Sequence, residues 1–259
     1  MNQWFTLLNK ELLEMTRNYK WIWVPVSFIL LGVMDPLTTY YMPQILDSVG
    51  GLPEGAVIEI PKPSANEVFI MSLGEYQTLG ILIIALSTMG MVAGERKSGV
   101  AQLILVKPVS YFSYISSKWA SAMLLITLSL FLGLLASWYY TGVLYEFIPF
   151  GDFMSAYFLY GLWIVFVVTI AIFCSSIILH PSAVGALSLG ITIIINLIGS
   201  TLSHMMKWSP THLLQYASEV LVLDTWPDDT RFAIGTTFLL IILLLASAVA
   251  VFKSKELAD

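Results

Sequence analysis

Six long apolar runs divide the chain, and short polar or proline-bearing stretches separate them. The runs cover residues 21–41, 73–93, 119–140, 153–179, 183–202 and 232–252. Each is close to the ~20 residues that a helix needs to cross the hydrocarbon layer. In that layer only helices or closed barrels satisfy their backbone groups. The pattern predicts an all-α integral membrane protein with six transmembrane helices, forming one membrane domain over residues 1–259.

The segments around the runs add detail. In residues 2–19, Trp4, Leu8, Leu12, Met15 and Tyr19 share one helical face, and Gln3, Thr6, Lys10, Glu14 and Arg17 share the other. A basic amphipathic helix of this kind lies in the membrane surface; a surface helix packed on protein is the alternative. Asp35-Pro36 predicts a kink or break near the far end of the first span, with Asp35 capping the turn. Residues 43–72, with four prolines and four acidic residues, read as a polar loop. Glu75 falls near the outer end of span two. His180-Pro181 is a tight turn, since proline pushes His180 out of the helical region. In span five, Ser182, Ala186 and Gly190 form a small-residue stripe suited to helix packing or a dimer contact. Asn196, deeper in that span, is a candidate for an interhelical hydrogen bond or, with Glu75, for a substrate path. Ser209-Pro210 starts a short helix, too polar to span, that reads as an outer-surface or re-entrant element. His204 and His212 lack carboxylate partners at fixed spacing, so no metal site is predicted.

Composition supports the membrane reading. The chain is 58% hydrophobic and 11% charged, with mean hydropathy +0.82, too apolar for one soluble core. The single cysteine, Cys174, lies in an apolar run and reads as a buried thiol. The first run, starting at Trp21, carries no cleavage pattern after it and reads as a retained span. Charge then sets orientation. Lys10, Arg17, Lys20, Arg96, Lys97, Lys107, Lys118, Lys253 and Lys255 fall on the side of the termini, nine of the 12 basic residues, while 12 of the 17 acidic residues fall on the other. The positive-inside rule predicts a multi-pass protein of the cell membrane with both termini cytoplasmic.

The one long basic, polar-bounded segment between apolar runs, Gly94 to Lys118, then faces the cytoplasm. Gly94 to Gly99 has the two-glycine spacing of a phosphate loop, but Val100-Ala101 follow where Lys-Ser/Thr is needed, so the chain has no nucleotide site of its own. No metalloprotease, serine-hydrolase or paired-acid pattern is present, and no catalytic residue or enzyme activity is predicted. Val100, Leu103 and Ile104 form one face of a short helix. Pro108 restricts Lys107 and stops it, and Ser110 caps the next helix. Tyr111, Phe112 and Tyr114 suit the headgroup level.

The order Glu95-Arg96-Lys97-Ser98-Gly99, Val100, Leu103, Leu105, Lys107-Pro108-Val109-Ser110 and Lys118 resembles the permease subunits of ATP-binding-cassette exporters of the type-2 class. Val100 stands where that family often has threonine, and Tyr111 where it often has arginine. The resemblance implies that this loop is a coupling element docking on a separate ATPase subunit. It also implies a permease homodimer or heterodimer in membrane lipid. Cofactors would be none on this chain, with ATP and Mg on the partner ATPase, and nucleic acid is not a partner. The alternative is a secondary transporter or channel not coupled to ATP, which needs intramembrane charge; only Asp35 and Glu75 offer it.

Overall fold

The computed structural model describes residues 3–49, 62–223 and 225–256. All regular structure among them is helical: α1 Gln3–Arg17, α2 Lys20–Val49, α3 Ala65–Glu75, a π-helical turn Tyr76–Gly80, and α4 Ile81–Thr88. Then follow α5 Ala93–Lys97, α6 Val100–Leu105, α7 Tyr111–Leu144, α8 Phe150–Ile177 and α9 Pro181–Thr201. A 3-10 turn, Pro210–His212, leads into α10 Leu213–Leu223, and α11 Thr230–Glu256 ends the described chain. Six helical stretches are long and apolar enough to cross a membrane: Lys20–Leu46, Ala65–Lys97, Tyr111–Leu144, Phe150–Ile177, Pro181–Thr201 and Thr230–Lys255.

The helix α8, whose single charged residue is Asp152 in its first turn, is the axis of the bundle. In its most apolar stretch 83% of residues are buried, against 17% in α11. A helix apolar all round is buried by its neighbours, and α7, α9, α10 and α11 all pack on it. The outward sides of α2, α9 and α11 keep large apolar side chains such as Ile22, Ile194 and Phe238 exposed. A second axis of packing joins α2 to α7. They cross so closely that a methyl at Gly32 would lie 2.6 Å from Tyr76 Oη, and one at Gly133 would lie 2.6 Å from the Phe28 carbonyl oxygen. Only glycine allows that approach, and the Tyr76 hydroxyl uses it to donate to the Phe28 carbonyl at 2.7 Å.

Two expectations about helix boundaries are corrected. The helix does not end at Asp35-Pro36; α2 contains Pro25, Pro36 and Pro43 and runs to Val49. Asp35 therefore caps nothing. An internal proline costs a helix about 3 kcal/mol. Unwinding the turn in the bilayer would leave several backbone groups without partners, which costs more. The 43–72 loop is also too long. Ser64 caps α3 with a full capping box: Glu67 N–H donates to Ser64 Oγ at 3.3 Å, and Ser64 N–H donates to Glu67 Oε2 at 2.7 Å. Span two starts there, eight residues before its apolar run. Between Val49 and Lys62 the chain lies outside the described residues.

Candidate functional site

The central loop folds as two short helices joined by a sharp reversal. Gly99, at φ 76°, supplies the left-handed turn between α5 and α6. Nothing lies within 4 Å of a Cβ built there, so the demand for glycine is one of backbone conformation alone. Ala101 is buried, Ile104 and Leu105 rest on the core, and Leu103 and Val106 stand 72% and 84% exposed. Val100, Lys97, Ser98 and Lys107 are exposed beside them. The helix stops at Leu105, and Ser110 caps α7 by accepting from Ser113 N–H at 3.1 Å. The expected short helix, proline stop and new cap are therefore all present. The amide of Gln3 donates to the Pro108 carbonyl at 3.0 Å, tying α1 to the linker.

Behind this surface lies a buried ionic cluster. Lys118 on α7 is 1% exposed and reaches Glu11 Oε1 at 2.8 Å and Glu95 Oε2 at 2.9 Å. Lys10 pairs with Glu11 at 2.9 Å, Glu14 at 3.0 Å and Glu95. Tyr114 Oη donates to Glu95 Oε2 at 2.5 Å. Burial depresses the pKa of Lys10, but the Glu11 and Glu95 carboxylates outweigh it and hold the ammonium above the ordinary lysine value. The carboxylates of Glu11, Glu14 and Glu95 lie within 4.8 Å of one another. Two ammonium groups already sit among them, so the group is an ion-pair cluster rather than a vacant metal centre. Three elements distant in sequence, α1, α5 and α7, meet in it.

The cluster and the packing around it fix where several loop residues point. Glu95 is 7% exposed and turns inward, away from any docking surface. Arg96 donates to the Ser176 carbonyl at 3.1 Å and stacks on Phe252 at 5.7 Å. Lys255 Nζ donates to the neighbouring Ile177 carbonyl at 2.5 Å. These cations close the C-terminal carbonyls of α8, which no intrahelical donor reaches. Tyr114 is buried and stacks on Phe252 at 5.1 Å. On α1, Trp4, Glu11 and Met15 face the protein, and Trp4 Nε1 donates to Ser116 Oγ at 3.0 Å. Tyr19 is exposed at positive φ beyond the helix end. Ser175, not singled out from sequence, accepts the otherwise orphan amides of Val92 and Ala93 at 3.2 and 2.9 Å.

At the opposite end, a cleft of about 770 Å³ opens between the π-helical turn, α9 and the 3-10 turn before α10. Asn196 lines it, and so does Gln77. Gln77 Nε2 donates to Asn196 Oδ1 at 2.8 Å, while its Oε1 accepts from Trp163 Nε1 at 2.8 Å and Tyr160 Oη at 3.5 Å. Asn196 Nδ2 donates to the Thr192 carbonyl at 3.2 Å. The interhelical hydrogen bond expected of Asn196 thus exists, in the wall of the cleft. Gln77 was missed; an amide in an apolar run is the signal that marks it. A π-turn within a membrane helix is itself a frequent companion of functional sites. Glu75 lies outside the lining of this cleft. Asp35, in α2, keeps Oδ2 buried without a hydrogen-bond partner among the described residues.

The remaining candidates separate. Ser182 and Ala186 are exposed, and nothing lies within 4 Å of a Cβ at Gly190. This stripe faces outward, while Val184, Gly185, Ser188 and Thr192 make the packed face of α9. His180 is the extended residue before Pro181 starts α9, as the turn reading requires. His212 is buried beside the cleft and His204 is exposed. Cys174 is buried.

Comparison with known proteins matches residues 5–257 to the ABC-2 family transporter proteins. The chain is also 34% identical over 256 residues to the uncharacterized transmembrane protein YxlG of Bacillus subtilis (strain 168), covering 99% of each chain. Both matches span the N-terminal helix, all six crossing helices and the α5–α6 turn. The protein belongs to the ABC-2 transporter family and is a membrane permease subunit of an ABC transporter.

Proposed function

We propose that this permease is the membrane half of an ATP-driven exporter and that the exposed edge of α6 is where its motor docks. The carrying observation is the pair Leu103, on the six-residue helix α6, and Val106, its C-cap, both apolar and largely exposed. The Gly99 reversal and the ionic cluster behind it fix that helix to α1 and α7. A partner that closes on ATP could push on this edge and pass the motion into spans two and three. ATP and Mg²⁺ then belong to the partner ATPase, and the permease chain carries no catalytic step. Both termini and α6 face the cytoplasm of a cell membrane, in keeping with the basic bias of that end. Two permeases pair, and the outward stripe Ser182, Ala186 and Gly190 is the contact. The cleft of Gln77 and Asn196 is part of the exported molecule's path.

Paired expression with the candidate ATPase, followed by capture through the permease, tests the reading. Leu103→Asp would bury an unpaired carboxylate in the contact at a cost of about 3 kcal/mol, or about a hundredfold in affinity. The variant should insert at normal yield and lose the captured ATPase. Normal capture and normal transport by this variant overturn the docking assignment, and ATP hydrolysis by the purified permease alone overturns the separate motor. In a Cys174→Ser background, Glu146→Cys should react with an impermeant thiol reagent on intact cells and Lys107→Cys only after lysis. Gly190→Leu should lower crosslinked dimer without lowering yield.

A further inference from the structure

Taking the cleft as part of the transport path, as proposed above, we infer that it receives a neutral amphipathic molecule whose polar end presents hydrogen-bond acceptors, such as ester, ether or amide carbonyl oxygens. The argument begins with which groups the cleft leaves unused. The Gln77 side chain cannot flip, because its Oε1 is held by two donors, Trp163 Nε1 and Tyr160 Oη. Its Nε2 must therefore face α9, where one hydrogen goes to Asn196 Oδ1. That bond fixes Asn196 in turn, and one hydrogen of Asn196 Nδ2 goes to the Thr192 carbonyl. A carboxamide nitrogen carries two donors. Each of the two amides so keeps one N–H that no described residue accepts, and both line the cleft. Three of the hydroxyls in the lining are already committed as donors. Thr78, Thr192 and Ser200 each donate back to a carbonyl of their own helix.

The charge and shape of the cleft narrow the class further. No Lys, Arg, Asp or Glu lines it. A cation or anion held against these amides would find no lysine, arginine or carboxylate in the lining to pair with, which disfavours it. Ile81, Leu189 and Leu197 offer apolar wall to a hydrocarbon portion. A volume of about 770 Å³ falls in the range of sites for compact organic ligands. Acceptor oxygens at the level of the amides and a hydrocarbon tail along α9 would satisfy every feature of the site.

Photolabelling tests this directly. The full-length permease in lipid nanodiscs is irradiated with three diazirine-bearing probes of equal chain length: a decanoate methyl ester, the free decanoate, and a decyl trimethylammonium salt. The ester is expected to label saturably, at least tenfold above both charged probes, and to map to peptides of α9 or the π-turn. Asn196→Leu should lower ester labelling about fivefold, the loss of one hydrogen bond. Asn196→Asp keeps the shape and should invert the preference toward the cation, an outcome that mere loss of packing does not give. Equal labelling by the three probes overturns the inference. So does labelling mapped away from the cleft, or none at all, as when a second copy fills it. The assay needs no ATPase, so its failure leaves the docking of α6 standing, and failure of ATPase capture leaves the ligand class standing.

Discussion

Each end of this bundle holds a polar network between packed helices, and the two differ in how completely their groups are matched. At the end that carries the termini, Lys118, Lys10, Glu11, Glu95 and Tyr114 meet in mutual ion pairs and hydrogen bonds, and Lys118 is wholly enclosed. At the other end, Gln77 and Asn196 are fixed by Trp163, Tyr160 and Thr192, yet each lines the cleft and keeps an amide N–H that no described residue accepts. Buried charge needs near-complete pairing to be tolerated, so the first network reads as a rigid joint. Neutral amides tolerate incomplete pairing where a cleft admits water or ligand, so the second reads as a recognition surface. On the proposed reading, the fully paired network belongs to the part that transmits force and the incompletely paired one to the part that binds.

The comparison breaks most readily at Lys118. Lys118→Met removes one cation and leaves Glu11 and Glu95 facing each other with Lys10 alone. Breaking a buried pair costs about 3–5 kcal/mol. The variant should lose most of its monodisperse protein after a heat challenge in detergent, followed by size-exclusion chromatography. A variant as stable as the parent would mean that the cluster is not the joint. The next effect belongs to Gly99. Alanine at φ 76° costs about 1–2 kcal/mol, with open space around the added methyl. Gly99→Ala should therefore lower captured ATPase by about tenfold while leaving the bundle's thermal stability nearly unchanged, because the strain falls on the α5–α6 reversal. Equal loss of stability and capture would place the strain in the bundle instead.

These residues also show what the sequence made legible. The six spans were readable because apolar runs of spanning length have few other uses, and the α6 helix was readable from Val100, Leu103, Pro108 and Ser110. The start of α3 was spelled out by Ser64 and Glu67, a capping box overlooked because prolines nearby suggested a loop. The passage of α2 through Pro36 and Pro43 could not be read locally, since it depends on the bilayer penalising an unwound turn. The ionic cluster was the least legible feature. Its charges stood in the count of basic and acidic residues as solvated loop and surface groups, but Lys10 to Glu95 and Glu11 to Lys118 are pairings across 85 and 107 residues. Nothing in a local pattern signals them. Asn196 was singled out because one polar side chain in an apolar run is visible; its partner Gln77 equally broke a run, and only the fold brings the two together.

A smaller effect is expected at the cleft. Asn196→Leu removes the acceptor of Gln77 Nε2, but the freed donor still faces a cavity that water can enter. The expected loss of stability is about 1 kcal/mol or less, well below that of Lys118→Met in the same heat challenge. A loss as large as that of the lysine variant would show the cleft network to be as closed as the joint, and the contrast between the two ends would fail.

The smallest effect is expected at Lys97, and it sharpens the boundary of the docking edge. Lys97 is exposed in the last turn of α5, two residues before Gly99, and shows no ion pair among the described residues. Its neighbour Arg96 is committed to the Ser176 carbonyl and Phe252. Lys97→Ala should thus leave stability within about 0.5 kcal/mol, as exposed substitutions do. If the motor covers Leu103 and Val106, Lys97 sits at the rim of that contact. A rim charge contributes about 0–1 kcal/mol, so capture of the ATPase should fall no more than about fivefold. The deficit should shrink as salt is raised, because exposed charges are screened over ~10 Å or less at moderate ionic strength. Leu103→Asp should fail to capture at every salt concentration, since its penalty is desolvation rather than lost attraction. Capture abolished by Lys97→Ala and insensitive to salt would move the centre of the contact from α6 to α5, and would require the partner to bury the α5 end of the loop.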